Sequence, residues 1–338
     1  MAERRRSLEG VELSGWAGRR VLVTGATGVV GSWLVKELLA EDAHVVALIL
    51  DLDPQSELVR SRDIHRCSVV NGALEDVATL ERAIGVHETD TVLHLGAQTL
   101  VEVARRSPLG TWEANVRGTY NLLEACRRHS GLVERIVVAS SDKAYGETGE
   151  LPYTEESALL AREPYEVSKA CGDLIAHSYH EAYGLPVAVA RCGNIFGGGD
   201  LNWSRLVPGT IRSLFAEERP LIRSDGTYAR DYVYVKDAAH AYALLADALD
   251  EDGVAGSAFN FGTELPVTVL EVVGIIRRLM GRDDLEPVVE NRAVGEIHDQ
   301  YLSARKAREA LSWVPRYDLE SGLRETIDWY RGFLGPRG

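Results

Sequence analysis

Arg20-Val-Leu-Val-Thr-Gly25-Ala-Thr-Gly28-Val-Val-Gly31 tells more about this chain than any other stretch of similar length. Val21 to Val23 read as a buried strand that runs directly into the glycines. Gly25 permits a tight turn, Gly28 lets backbone approach a pyrophosphate, and Gly31 allows helix and strand to pack closely. The helix expected from Val29 to about Glu41 would aim its free N–H groups and positive end at those phosphates. A second strand, His44 to Leu50, follows, with Asp51 at its end. A carboxylate there accepts hydrogen bonds from free ribose hydroxyls and repels a 2′-phosphate, so NAD is favoured over NADP. Arg60 and Arg62, farther on, are the residues that would serve NADP instead, or else pair on the surface.

Outward from this motif, strands and helices alternate for about the first 195 residues. Strands are predicted at 20–24, 44–50, 67–70, 91–95, 135–140 and 186–192, and helices at 29–41, 76–84, 111–129 and 164–183. Alternation of this kind implies an α/β fold, a Rossmann-like doubly wound parallel sheet with its ligands at the carboxyl ends of the strands. Gly25, Gly96, Ser141 and Asn194 all fall just past such ends. After Gly197-Gly-Gly-Asp200 the elements shorten, with segments at 231–235, 257–261, 268–280, 303–311 and 320–333. The expected division is a NAD-binding domain over 18–195, with 230–262 returning to it, and a smaller C-terminal substrate-binding region over 196–334.

Tyr165-Glu-Val-Ser-Lys169 places a phenol and an ammonium on one helix face, about one turn apart. An ammonium beside a phenol favours phenolate, and the Ser141 hydroxyl can share a substrate oxygen with it, which makes a unit for oxidising an alcohol. A lone Tyr-x-x-x-Lys is usually a solvated helix face. Here it shares a crevice with a dinucleotide motif.

Composition excludes other classes. A net charge of −14 over 338 residues argues against nucleic acid as a partner. Cys67, Cys126, Cys171 and Cys192 are scattered, with no pattern for a metal, and suit isolated thiols in a reducing cytoplasm. The basic opening Met-Ala-Glu-Arg-Arg-Arg leads into no apolar stretch, and no membrane span is visible, so a cytoplasmic protein is expected.

The chain resembles the extended short-chain dehydrogenase/reductases, and within them the NAD-dependent nucleotide-sugar epimerase/dehydratase family. The resemblance runs from about Arg19 to Tyr330. It rests on Gly25-x-x-Gly28-x-x-Gly31, His94-Leu-Gly-Ala-Gln98, Asn115-Val-Arg-Gly-Thr-Tyr-Asn-Leu-Leu-Glu124, Ser140-Ser-Asp-Lys-Ala-Tyr-Gly146, Tyr165-x-x-x-Lys169, Arg191-Cys-Gly-Asn194 and Arg230-Asp-Tyr-Val-Tyr-Val-Lys-Asp237. It implies cofactor contacts from Gly25, Thr27, Gly28, Val29, Val30, Gly31 and Asp51. Ala73 and Leu74 would lie by the adenine, and Leu95, Gly96, Ala97, Tyr165 and Lys169 would complete the set. A nucleotide-diphosphate sugar would meet Gln98, Asn194, Arg205, Leu206, Arg230 and Arg292, the two last as phosphate clamps. Two positions depart from the pattern: Ala73 where an Asp often holds the adenine, and Gly96 for a common alanine. Trp203 would stack on the base or anchor the core. Helices 111–129 and 164–183 would form a homodimer interface.

Asp142-Lys143, directly after Ser141, resembles sugar 4,6-dehydratases, the CDP-glucose type and also the UDP-N-acetylglucosamine dehydratases that invert a neighbouring centre, with GDP-mannose dehydratases in the same broad group. The expected reaction oxidises C4, removes the C5 proton with Lys143 as base, expels the C6 hydroxyl with help from Asp142, and returns hydride to C6. The catalytic set is then Ser141, Asp142, Lys143, Tyr165 and Lys169, with no metal. A nucleotide-sugar 4-epimerase would need only Ser141, Tyr165 and Lys169. A cofactor-sensing module without catalysis would need none of them.

Overall fold

A computed structural model describes residues 13, 15–292 and 297–335. The basic opening hexapeptide and the Ala293-to-Glu296 part of the Arg292 motif lie outside the described residues. Seven parallel strands form the main sheet in the order Ala258–Phe261, Val187–Cys192, Arg135–Ala139, Thr91–His94, Arg20–Thr24, His44–Ile49 and Ser68–Asn71. The chain reverses direction across the sheet between Arg20–Thr24 and Thr91–His94, the crevice where doubly wound sheets bind ligands. Val187–Cys192 is buried along its whole length, the pattern of a strand covered on both faces. Two apolar clusters fill those faces.

Of the returning segment 230–262, two pieces join the main layer. Helix Val235–Asp247 is buried at nearly every position and packs on helix Val29–Ala40, and Ala258–Phe261 supplies the seventh strand. Ala229–Tyr234 does not join. It pairs with Asn194–Phe196, Pro266–Thr268 and Asp299–Gln300 in a small separate sheet over a third apolar cluster.

Helix Pro164–Tyr183 begins with proline at its first turn and a reciprocal Glu163–Glu166 cap, and ends at Gly184 in the left-handed conformation (φ 66°). The helix expected at 111–129 is different. It starts at Pro108, widens to π geometry over Trp112–Arg117, and resumes as α over Gly118–Arg128. The wide turn carries the buried Asn115, whose amide donates to Gln98 O at 2.9 Å and Ser168 Oγ at 2.8 Å, while its oxygen accepts from Gln98 N at 2.7 Å. A single side chain thus fixes the loop after Thr91–His94 against the Tyr165 helix, and π turns often mark such functional positions.

Candidate active site

At the carboxyl ends of the main sheet lies a cleft of about 900 Å³. Its floor is the glycine turn. Gly25 has φ +68°, and a Cβ there would stand 2.8 Å from Gly96 N. At Gly31 a Cβ would lie 2.1 Å from Gly25 O, so helix and strand approach as closely as backbone allows. Thr24 Oγ1 accepts from Gly96 N at 2.9 Å and bonds His94 Nδ1 at 2.8 Å. His94 Nε2 meets Thr119 Oγ1 at 3.0 Å, and that hydroxyl donates to Asn115 O. This accounting leaves His94 neutral with its proton on Nε2. Burial first, then the Lys169 charge, agrees by pushing its pKa down to about 3.

Gly25, Thr27, Gly28, Val29, Val30, Gly31, Asp51, Leu74, Leu95, Gly96 and Ala97 line one arm of the cleft. Ala73 does not. Glycine at 96 has a local reason, since an alanine Cβ would press on Leu74 Cδ1 at 3.0 Å and Thr24 Oγ1 at 3.1 Å. Arg60 is drawn away, its guanidinium stacked on Phe333 (4.7 Å) and Trp329 (5.5 Å), and neither it nor Arg62 lines the cleft. A glycine cradle that a Cβ would fill, with a carboxylate at the second strand's end, fits NAD.

Ser140, Ser141, Asp142, Lys143, Tyr165 and Lys169 meet where this arm joins the other. Ser141 Oγ donates to Asp142 Oδ1 at 2.9 Å and accepts from Lys143 N at 3.2 Å. Burial pushes the Tyr165 phenol up to about 12; Asp142 adds to this, and Arg205 and a hydrogen bond with Ser141 oppose it. The expected cation was Lys169, but the charge that draws the phenol down is Arg205. Lys169 Nζ instead donates to Ala139 O at 2.8 Å, and burial lowers its pKa to about 8.

Three buried polar atoms beside the cleft lack a partner: Ser140 Oγ, Asp142 Oδ2 and Asn194 Nδ2. An unpaired buried polar atom costs about 1–3 kcal/mol, so a ligand that satisfies these three gains what the fold leaves unmet.

The second arm holds Gln98, Asn194, Arg205, Leu206 and Arg230. Arg205 Nη1 pairs with Asp200 Oδ2 at 3.1 Å. Arg230 is buried and donates to the carbonyls of Ala229, Ile297 and His298, so much of its guanidinium is spent on backbone. Arg292 is not in the cleft lining: it is exposed, and its Nε meets Glu290 Oε2 at 2.6 Å. Trp203 packs on Tyr330 (5.7 Å) and Phe333 under Arg212, and does not line the cleft.

Sequence reasoning missed Gln300. This fully buried side chain accepts from Lys143 Nζ and donates to Asp142 O at 2.9 Å. No sequence signal marks it, because a glutamine in a two-residue strand looks like any surface residue. Among the described residues no cluster of three or more His, Cys, Asp or Glu could hold a metal, and no helix is long and apolar enough to cross a membrane.

The glycine crevice and the cluster of Ser141, Tyr165 and Lys169 thus share one cleft at the carboxyl ends of the sheet. Residues 21–262 match the NAD dependent epimerase/dehydratase family, and the chain belongs to it. It is 30% identical to the CDP-glucose 4,6-dehydratase of Salmonella typhimurium, over 94% of this chain and 92% of that one. Among solved structures it resembles the UDP-glucose 4-epimerase of Thermotoga maritima, with UDP-glucose (TM-score 0.85, 28% identity, 93% of this chain and 99% of that). The dTDP-glucose 4,6-dehydratase of Streptomyces venezuelae, with NAD bound, is similar (TM-score 0.82, 29% identity, 93% and 98%). NAD is the cofactor of this chain.

Proposed function

We infer that the chain is a nucleotide-diphosphate-hexose 4,6-dehydratase, a lyase that yields a 4-keto-6-deoxy sugar. The observation that carries this reading is Asp142. It is buried against the Ser141 hydroxyl with one carboxylate oxygen unpartnered, and Lys143 follows it on the cleft wall. An epimerase has no use for an acid and a base there.

NAD, when bound, supplies the hydride acceptor for C4 and the hydride that C6 later receives. Tyr165, as the phenolate that Arg205 and the Ser141 hydroxyl favour against burial, takes the C4 hydroxyl proton, and Ser141 orients that oxygen. The C4 ketone acidifies the neighbouring C–H, and Lys143 removes the C5 proton as its electron pair forms the C5–C6 double bond. The C6–O bond breaks, Asp142 delivers a proton to the departing hydroxyl, and water leaves; Lys143 then returns its proton to C5 as C6 is reduced. Asn194 Nδ2 and the remaining N–H groups of Arg230 are offered to the substrate's phosphates or sugar.

A 4-epimerase remains the second reading, favoured by the likeness to the Thermotoga maritima enzyme. Mass spectrometry after incubation with CDP-glucose, GDP-mannose, UDP-N-acetylglucosamine and dTDP-glucose separates the two. Loss of one water supports the dehydratase, whereas an isomer of unchanged mass overturns it. A homodimer through the exposed Leu109, Leu174 and Tyr183 completes the reading, and sedimentation of a Leu174→Glu variant as a monomer would support it.

A further inference from the structure

Asp142 and Lys143 need different positions from one short turn, and something outside the turn must set them. Asp142–Tyr145 forms a single 3₁₀ turn after Ser141, a conformation with poor intrinsic hydrogen bonding. Segment 299–303 braces it from behind. Tyr153 N donates to Tyr301 O at 3.0 Å, Ser303 N to Tyr153 O at 2.8 Å, and Tyr153 Oη to Gly146 O at 2.6 Å. The two residues just before this segment are held by Arg230, through the carbonyls of Ile297 and His298. Gln300 sits where the two braces meet. Its amide nitrogen is bonded to Asp142 O and its amide oxygen to Lys143 Nζ, and the side chain is wholly buried outside the cleft lining.

We propose that Gln300 is the positioning residue that aims Lys143 at the C5 proton, a role that rests on the dehydratase reading. One planar amide ties the backbone of the acid to the side chain of the base. The ammonium therefore cannot swing toward solvent without breaking its half-buried bond to Gln300, and the 3₁₀ turn cannot shift without straining the buried bond from Gln300 to Asp142 O. The neutral amide accepts from Lys143 without placing a charge beside it, where a carboxylate would favour the ammonium. Gln300 touches neither end of the substrate cleft. It acts only through its two neighbours.

The test compares wild type, Gln300→Leu and Gln300→Glu as NAD-loaded enzyme, with the nucleotide sugar that loses water. C4 oxidation is read as transient NADH absorbance, C5 proton removal as deuterium uptake from heavy water, and folding as the melting temperature. The expected result for Gln300→Leu is C4 oxidation within about twofold of wild type and C5 exchange slowed about 100-fold, the scale for a catalytic group misplaced by an ångström. Gln300→Glu keeps an acceptor for Lys143 but adds a charge. It should keep exchanging, with the alkaline-rising limb of exchange moved up by about one pH unit. C5 exchange at the wild-type rate in Gln300→Leu overturns the proposal, as does an equal loss of both steps or a Gln300→Glu profile that superimposes on wild type. If wild type only isomerises every sugar, the dehydratase reading fails and takes the role of Gln300 with it.

Discussion

The two arms of the cleft are built by opposite means. The cofactor arm is assembled from consecutive residues at strand ends: one turn from Gly25 to Gly31, one residue after the second strand, and one loop after the fourth. Backbone does most of the work there, and the close approach of Gly31 to Gly25 O leaves no room for another residue type. The second arm is assembled from segments far apart in the chain, Gln98, Asn194 and Arg230 among them, the last two joined through a small sheet of short strands that Gln300 also enters. Its shape depends on side chains that bond to carbonyls, as Arg230 and Gln300 do. A crevice made this way can keep its cofactor while its substrate changes, because the two arms share little beyond the Ser141–Lys169 junction.

Gly31→Val is the hardest blow to the cofactor arm. Its side chain would meet Gly25 O where even a Cβ is 2.1 Å away, so the turn must open. Overpacking of this kind costs about 1–3 kcal/mol and here also displaces the phosphate-binding amides. The expected outcome is a lower melting temperature and NAD binding too weak to saturate by calorimetry. Wild-type affinity would show that the cradle is looser than its geometry and would erase the contrast between the arms.

Lys143→Met separates the arms within one catalytic cycle. On the dehydratase reading, C4 oxidation draws on Ser141, Tyr165 and Lys169 and should remain measurable as NADH absorbance. Water loss should fall by about 10²–10⁴, the usual contribution of a general base. Full dehydration by that variant would remove Lys143 from the mechanism.

Much of the cofactor arm was legible because its rules are local. A β-branched strand, a positive φ and a helix start leave residue types at fixed spacing, so Gly25, Gly28, Gly31 and Asp51 could be placed from the chain alone. Tyr165 and Lys169 were legible for the same reason, being one turn apart. The division of labour between them was not. The lysine donates to Ala139 O, a tertiary contact with no spacing rule. The substrate arm hid Gln300 altogether. Arg292 pairs with the neighbouring Glu290 outside the cleft lining, a local alternative that its motif does not signal. The π turn at Trp112–Arg117 was invisible too, since one extra residue in a helix leaves its apolar pattern nearly intact.

Lys169 gives the comparison a pH test in the NAD-free protein. Its folded pKa of about 8 lies below the ordinary lysine value of 10.5 because burial disfavours the charged form. Below pH 8 both folded and unfolded chains carry the proton, and the folded state bears the full cost. As pH rises from about 8 toward 10.5, the folded chain loses its proton first and the cost is relieved, so this group makes stability rise with pH. Against Lys169→Met, wild type should therefore gain about 2 kcal/mol between roughly pH 7.5 and 9.5 in urea melts. A constant difference across that range would mean that the ammonium is better solvated than its burial implies.

The smallest effect should come from the residue that the family pattern ranks high. Arg292 is exposed, paired with Glu290 and outside the cleft lining, and an exposed ion pair is worth about 0–1 kcal/mol. Arg292→Ala should accordingly change KM for the nucleotide sugar by less than about threefold and leave the melting temperature nearly unmoved. Arg230→Ala, by contrast, removes the bonds to Ile297 and His298 that hold the Gln300 segment, and should lower both stability and turnover. A rise in KM of about 100-fold for Arg292→Ala would mean that binding draws this arginine across to the phosphates. The substrate arm would then be completed by its ligand, while the cofactor arm stands ready-made.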